Sequence, residues 1–113
     1  MKRYGGRTHI AIFVAVVMVT LGMLVVPANA QDAAALYKTK CSACHGADGK
    51  GETTIGKTNK MRDLASDDVQ KQSDADLTAV ITNGKNKMPA YGKSLKPEQV
   101  KDLVAHVRSL AKK

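Results

Sequence analysis

The sequence feature that most constrains the fold is the segment Cys41-Ser42-Ala43-Cys44-His45, a C-x-x-C-H pattern in a chain with no other cysteine. Two cysteines three positions apart cannot brace a fold in the way that the disulfides of small secreted scaffolds do. The same spacing allows each thiol to form a thioether with one haem vinyl group, and the adjacent His45 then lies under the iron as its proximal ligand. The pattern therefore predicts one covalently bound haem c, attached through Cys41 and Cys44.

Three other uses of a cysteine pair fit this chain less well. A thioredoxin-like redox pair needs a βαβ context, and no segment here shows sustained strand alternation. A disulfide across so short a loop would constrain little chain entropy. A zinc site needs four ligands, and after residue 30 the only nitrogen donor besides His45 is His106.

Residues 1–30 have the pattern of a secretory signal peptide. A basic start precedes 17 uncharged residues, and Ala28 and Ala30 then form an A-x-A site for a signal peptidase. This predicts cleavage after Ala30 and a periplasmic protein. The alternative is an uncleaved membrane anchor, for which an apolar run of 17 residues is at the short end.

Cleavage would leave residues 31–113, 83 residues with 15 basic and 10 acidic side chains. The basic residues form no arginine-rich stripe, which together with export excludes nucleic acid as a partner. Tyr37 and Tyr91 are the only aromatic residues left, and burial is marginal for a chain of this size. A large apolar cofactor would supply the missing interior.

Capping signals and apolar spacing predict three helices. The first covers residues 31–40 and leads into Cys41. Ser73 as N-cap begins the second, which stops at Asn83-Gly84. Pro97 opens the last helix, whose apolar residues recur at spacings of three and four.

The rest of residues 31–113 is predicted to be mostly irregular. Residues 46–60 contain four glycines and almost no large apolar side chain, which predicts a long loop. A shorter turn is expected within residues 65–72. The chain therefore predicts an all-α domain of a few short helices and long loops folded around one ligand.

The residue in the sixth iron position decides whether a haem carries electrons or binds small molecules. Met61, Met88 and His106 are the candidates after residue 30. Met88 has turn residues on both sides, so a loop can hold its thioether, and Pro89 stiffens that backbone. A thioether opposite a histidine raises the reduction potential, which suits an electron carrier. An open or labile sixth position would instead suit a haem-based ligand sensor or a small peroxidase-like protein.

Three segments together resemble the class I cytochrome c family, and within it the small bacterial carriers similar to cytochrome c6: ALYKTKCSACHGADGKG, ITNGKNKMPAYGKSL and EQVKDLVAHVRSL. The resemblance implies that the first and last helices cross and that His45 and Met88 are the axial ligands. It implies a monomeric electron carrier that transforms no substrate and docks transiently with a membrane reductase, an oxidase or a periplasmic dehydrogenase. No contact with a membrane is expected after cleavage. Lysines flanking Met88 are expected to steer docking towards acidic faces: Lys85, Lys87 and Lys93.

The chain departs from the family pattern at the expected helix crossing. Ala33 stands where the family often has glycine, and His106 replaces the usual aromatic residue. Tyr37 and Leu103 would complete the crossing. His106 is expected to be a packed side chain rather than an iron ligand.

A second departure concerns the groups that support the haem. The family often uses a proline carbonyl to accept a hydrogen bond from the proximal histidine, and no proline lies between His45 and Pro89. A carbonyl within residues 62–64 is expected to take that role. Tryptophan is absent as well, so the propionates are expected to find partners within residues 57–60.

Overall fold

The structure, a computed structural model, describes residues 28–111, and these form six helices and no strand. The helices are α1 (Ala28–Lys40), α2 (Ser42–His45), α3 (Thr54–Thr58), α4 (Asp67–Gln70), α5 (Asp74–Asn83) and α6 (Pro97–Ser109). The all-α prediction is confirmed. The predicted leader lies outside the described residues except for residues 28–30, which open α1 three positions before the predicted start. Within residues 28–111, no helix has the length and apolarity needed to cross a membrane.

The limits of α5 and α6 follow from local capping, as the sequence predicts. The Ser73 hydroxyl accepts a hydrogen bond from the Asp76 N–H at 3.1 Å, and the Asp76 carboxylate accepts one from the Ser73 N–H at 3.3 Å. This reciprocal pair satisfies two donors at the start of α5. Gly84 ends α5 with φ 73°, a left-handed conformation that glycine adopts without strain. Pro97 is the first residue of α6.

One helix lies within the segment that the sequence predicts to be a loop. The Thr53 hydroxyl accepts a hydrogen bond from the Gly56 N–H at 2.9 Å and caps α3. The prediction of an irregular chain over residues 46–60 is therefore wrong in this part. α3 is a short helix whose one large apolar side chain, Ile55, is 49% exposed, so it has no apolar face to detect. α4 occupies the predicted turn of residues 65–72.

The core lies between the first and last helices, which make the most extensive helix–helix contact of the described chain. Tyr37 of α1 and Leu103 of α6 are only 3% and 2% exposed. They form one cluster with Leu95 and Val100. A second cluster joins α4 and α5 to α6 through Val69, Leu77, Val104 and Val107.

The helix contact contains the residues expected at the crossing. The His106 ring centroid lies 4.5 Å from that of Tyr37, with 38° between the ring planes. Ala33, one turn before Tyr37, is 4% exposed. The His106 imidazole thus occupies the place of the family's usual aromatic side chain in this contact.

Two long polar side chains fasten the short helices to α6. Gln70 donates through Nε2 to the carbonyls of Leu64 at 2.7 Å and Val107 at 3.0 Å. Arg108 donates through Nε and Nη2 to Asp74 Oδ1, at 3.0 and 2.8 Å. The Gln70 bonds fix α4 and the segment before it against the last helix, and the Arg108 bonds fix the start of α5 there.

Candidate haem site

The attachment segment (residues 41–45) is one helical turn at the end of α1. The Cys41 carbonyl accepts hydrogen bonds from the N–H groups of Cys44 at 3.2 Å and His45 at 2.9 Å. Residues three and four apart lie on the same face of a helix, so both thiols and the imidazole point to one side of the turn. Both cysteines are free and half-buried.

A glycine-rich segment packs closely behind this turn. The Thr53 hydroxyl donates to the carbonyls of Ala43 at 2.8 Å and Cys44 at 3.1 Å. A Cβ at Gly56 would lie 2.4 Å from the Cys44 carbonyl oxygen and 2.3 Å from that of Gly51, so only glycine fits there. Sequence reasoning missed Thr53 and Gly56, although threonine is one of the residues preferred at an N-cap.

Two tyrosine hydroxyls bind the backbone carbonyls at the two ends of the attachment segment. Tyr37 Oη donates to the Gly46 carbonyl at 2.8 Å, just after His45. Tyr91 Oη donates to the Lys40 carbonyl at 3.1 Å, just before the first cysteine. Sequence reasoning did not find the Tyr91 bond because it joins residues 51 positions apart.

A cleft beside the attachment segment contains about 1180 Å³ free of protein atoms, including its open mouth. Cys41, His45 and Met88 all line it. A smaller cavity is lined by the same three residues together with Cys44. The apolar walls of the cleft come from α4, α5, α6 and the segments beside them: Leu64, Val69, Leu77, Val80, Ile81, Leu95, Leu103 and Val107. The structure thus brings the four predicted site residues to one region.

Met88 lies in a loop of residues 84–95, the Met88 loop, that follows α5. Lys85 and Met88 exchange backbone hydrogen bonds of 3.1 and 2.9 Å, which closes a tight turn. Gly84 allows this turn, since a Cβ there would lie 2.6 Å from the Met88 carbonyl oxygen. Asn86 adopts φ 53°, a conformation that asparagine tolerates better than most residues. The Met88 side chain is half-buried at the cleft.

The other two candidates for the sixth position differ in placement. Met61 also lines both cavities, so the lining alone does not separate it from Met88. His106 lines neither cavity and stacks on Tyr37 instead. This placement agrees with the expectation that His106 is a packed side chain.

Known proteins resemble this chain over most of its length. The profile of the family described as "Cytochrome C oxidase, cbb3-type, subunit III" matches residues 28–107. Cytochrome c6 of Gloeothece citriformis (strain PCC 7424) is 38% identical over 93 residues, covering 77% of this chain and 79% of that protein. The solved structure of the KustC0563 c-type cytochrome is 35% identical with a TM-score of 0.66, covering 71% of this chain and 98% of that one. The chain belongs to the class I cytochrome c family.

This cytochrome is similar to cytochrome c6, has one covalently bound haem c and is a haem-based electron carrier. A relative of another kind is the cbb3-type cytochrome c oxidase subunit CcoP of Rubrivivax gelatinosus. It is 41% identical over 83 residues, which cover 70% of this chain and 26% of that subunit. The same domain therefore occurs as a part of longer proteins.

The donor atoms at the cleft fit a haem c. Burial, with a contribution from the neighbouring Cys44, raises the pKa of Cys41 to about 11. Before haem attachment, Cys41 is therefore a neutral thiol at neutral pH, unlike the low-pKa thiols of redox-active cysteine pairs. Burial lowers the pKa of His45, which keeps its imidazole neutral with a lone pair for a metal.

The predicted hydrogen-bond acceptor for His45 is not observed. His45 Nδ1 is buried and has no hydrogen-bond partner within residues 28–111. The prediction that a carbonyl within residues 62–64 takes this role is therefore wrong. The Leu64 carbonyl accepts from Gln70 instead, which draws this segment towards α4.

Cations surround the cleft, and none of its lining residues within 28–111 is a carboxylate. The basic lining residues are Lys40, Lys60, Arg62, Lys85 and Lys87. This excess of positive charge is suited to the two propionates of a haem. Of the loop expected to hold them, Asn59 and Lys60 line the cleft, whereas Lys57 does not and pairs with Glu52 at 3.3 Å.

Proposed function

We propose that this cytochrome is a monomeric periplasmic carrier that transfers one electron at a time, with His45 and Met88 as axial ligands of its iron. Cys41 and Cys44 attach the haem through thioethers. The observation that carries the proposal is that Cys41, His45 and Met88 line a single apolar cleft. When bound, the haem supplies a one-electron ferric–ferrous couple. A soft, neutral thioether opposite an imidazole favours the ferrous state and raises the potential.

Met88 is favoured over Met61 because the two methionines come from different walls of the cleft. The Met61 N–H donates to the Gly56 carbonyl at 2.8 Å, and Gly56 packs against the carbonyl of Cys44. Met61 therefore belongs to the wall behind the attachment segment, on the side of His45. The sixth ligand has to approach the iron from the opposite side, and Met88 comes from a loop built on α5.

The chain's own contribution to electron transfer is to hold both ligands and to exclude water. Apolar side chains from three helices line the cleft. Two protein ligands leave no open position on the iron, so we propose that no substrate is transformed. If His45 and Met88 hold the iron in both oxidation states, little rearrangement would oppose the transfer.

The periplasmic location rests on the leader pattern in residues 1–30. Cleavage after Ala30 would remove the first three residues of α1 and leave its buried residues Ala33 and Tyr37 in place. Intact-mass analysis of the exported protein tests this proposal. A mass that includes the leader would contradict it and favour an anchored cytochrome.

Docking on acidic partner surfaces is supported by the charge at the cleft. Lys85 and Lys87 line the cleft beside Met88, and Lys93 is exposed in the same loop. Electron-transfer contacts are usually small and transient, so charge mainly affects the rate of association. We propose a membrane reductase, an oxidase or a periplasmic dehydrogenase as the partner. The relationship to CcoP, an oxidase subunit by name, supports the oxidase.

Absorption spectra of the protein exported from a host that matures c-type haem test the ligand assignment. The wild type is expected to show low-spin c-type bands and the far-red ferric band of methionine ligation. Met88→Ala should lose the far-red band, whereas the matched variant Met61→Ala should keep it. If the wild type lacks this band and binds carbon monoxide readily, a ligand sensor or a small peroxidase-like protein replaces the carrier.

A further inference from the structure

We propose that Tyr91 is a positioning residue for Met88, because its hydroxyl ties the Met88 loop to the chain immediately before the attachment segment. This inference rests on the proposed ligation of the iron by Met88. It assigns to Tyr91 the task of holding the two ligand-bearing parts of the molecule together.

The tie is a single long-range hydrogen bond. Tyr91 Oη donates to the carbonyl of Lys40, the last residue of α1, at 3.1 Å. Lys40 directly precedes Cys41, so the bond ends next to the first thioether position. Within residues 28–111, it is the one hydrogen bond that joins residues 84–95 to any residue before Val80.

The other hydrogen bonds of the Met88 loop fix it only to itself and to α5. The turn that carries Met88 is closed by Lys85. The N–H groups of Tyr91 and Gly92 donate to the carbonyls of Ile81 and Thr82, both at 3.0 Å. These bonds set the position of the loop on the last turn of α5. They do not set its distance from the attachment segment.

The chain between Tyr91 and Met88 is short and stiff enough to transmit this restraint. Only Pro89 and Ala90 separate them, and proline fixes its own φ and restricts the residue before it. The half-buried Tyr91 side chain lines both cavities beside Met88. A phenylalanine at this position would keep the ring contacts and remove only the hydrogen bond.

Tyr37 provides a matched control. Its hydroxyl also donates to a backbone carbonyl next to the attachment segment, that of Gly46, at 2.8 Å. The bond is buried and lies within the N-terminal part of the chain, so it does not involve the Met88 loop. Tyr37→Phe removes the same chemical group at a cost in stability, keeps the ring contacts, and removes no hydrogen bond of the Met88 loop.

The test is an imidazole titration of the ferric holoprotein, in which loss of the far-red methionine band reports displacement of Met88. Tyr91→Phe is expected to bind imidazole roughly 2- to 12-fold more tightly than the wild type, since releasing Met88 no longer breaks the hydrogen bond to Lys40. Tyr37→Phe is expected to gain clearly less affinity, because the bond that it loses holds the chain after His45 and not the Met88 loop. Denaturant unfolding of both variants should show that Tyr37→Phe loses at least as much global stability, which separates positioning from general weakening.

An unchanged imidazole affinity in Tyr91→Phe would overturn the inference while leaving the ligation by Met88 intact. An equal gain in Tyr37→Phe would also overturn it, because the effect would then follow stability alone. Absence of the far-red band from the wild type would remove the proposed ligation and the inference with it.

Discussion

The attachment segment and the Met88 loop both contribute to one cleft, yet the chain holds them in different ways. The attachment segment is surrounded by bonds from residues close in sequence: the Thr53 hydroxyl, the Gly51 N–H and the Tyr37 hydroxyl all bind its carbonyls or those next to it. The Met88 loop has its own turn, three backbone bonds to α5 and one side-chain bond to α1, and its Leu95 packs in the core with Tyr37.

This difference implies different local stabilities. Regions with few buried contacts and exposed hydrogen bonds open at lower free energy than the rest of a protein. The Tyr91 bond is exposed, whereas the Tyr37 bond is buried. We therefore expect a more rigid wall at the attachment segment, which carries the proposed proximal ligand His45, and a wall at the Met88 loop that opens more easily and carries the proposed sixth ligand.

The largest expected effect is that of losing the haem attachment at Cys41 and Cys44, compared with that of losing Met88. The variant Cys41→Ala with Cys44→Ala, purified without haem, should lack cooperative unfolding, because the apolar cleft is then empty in a domain of marginal core. Met88→Ala with covalent haem should stay folded and lose about 2 kcal/mol. Circular dichroism and denaturant unfolding measure both. Native helix content and cooperative unfolding in the haem-free variant would contradict this account.

The second prediction compares a glycine on each wall. Gly56→Ala places a methyl group within 2.4 Å of two backbone carbonyl oxygens, so it should cost about 3 kcal/mol of unfolding free energy. Gly92→Ala in the Met88 loop meets the Thr82 methyl at 2.7 Å and the Thr82 carbonyl oxygen at 3.0 Å. Both contacts are less close than those at Gly56, and the cost should be about 1 kcal/mol. If the two variants lose the same free energy of unfolding in denaturant, the wall behind His45 is no more rigid than the Met88 loop.

The smallest expected effect concerns the Met88 loop as a docking surface. Lys85→Glu with Lys87→Glu should slow association with an acidic redox partner about tenfold at low salt, and less at high salt because of screening. Lys101→Glu on α6, a residue that does not line the cleft, should change the rate little. Stopped-flow reduction kinetics at two ionic strengths measure these rates. Equal effects at both sites would contradict docking at the Met88 loop.

The rigid wall is also the part of the site that the sequence predicts best. The chemistry of this wall lies in the five consecutive residues 41–45. The starts of α5 and α6 were also predicted, because Ser73 and Pro97 are local capping signals. α3 escaped prediction because its Thr53 cap acts without an apolar face. Local signals therefore suffice where a capping residue is followed by an apolar helix face.

The position of the Met88 loop depends on long-range contacts that sequence patterns do not indicate. The bond from Tyr91 to Lys40 spans 51 positions. The expected acceptor for His45 was also wrong, because Nδ1 has no hydrogen-bond partner within residues 28–111 and no local motif indicates this. Met88 was predicted as the sixth ligand from its turn residues and from the family resemblance. Because Met61 also lines the cleft, the lining alone does not choose between the two methionines, and the assignment stays a prediction.

The most direct test of the account is a potentiometric titration of the wild type, Met88→His and Met61→His. A carrier with Met88 as sixth ligand should give a one-electron Nernst curve, and Met88→His should lower the potential by on the order of 100 mV because the soft thioether is lost. Met61→His should leave the potential near the wild-type value. An unchanged potential in Met88→His, or an equal fall in Met61→His, would contradict the assignment of Met88 and the division of the site into two walls.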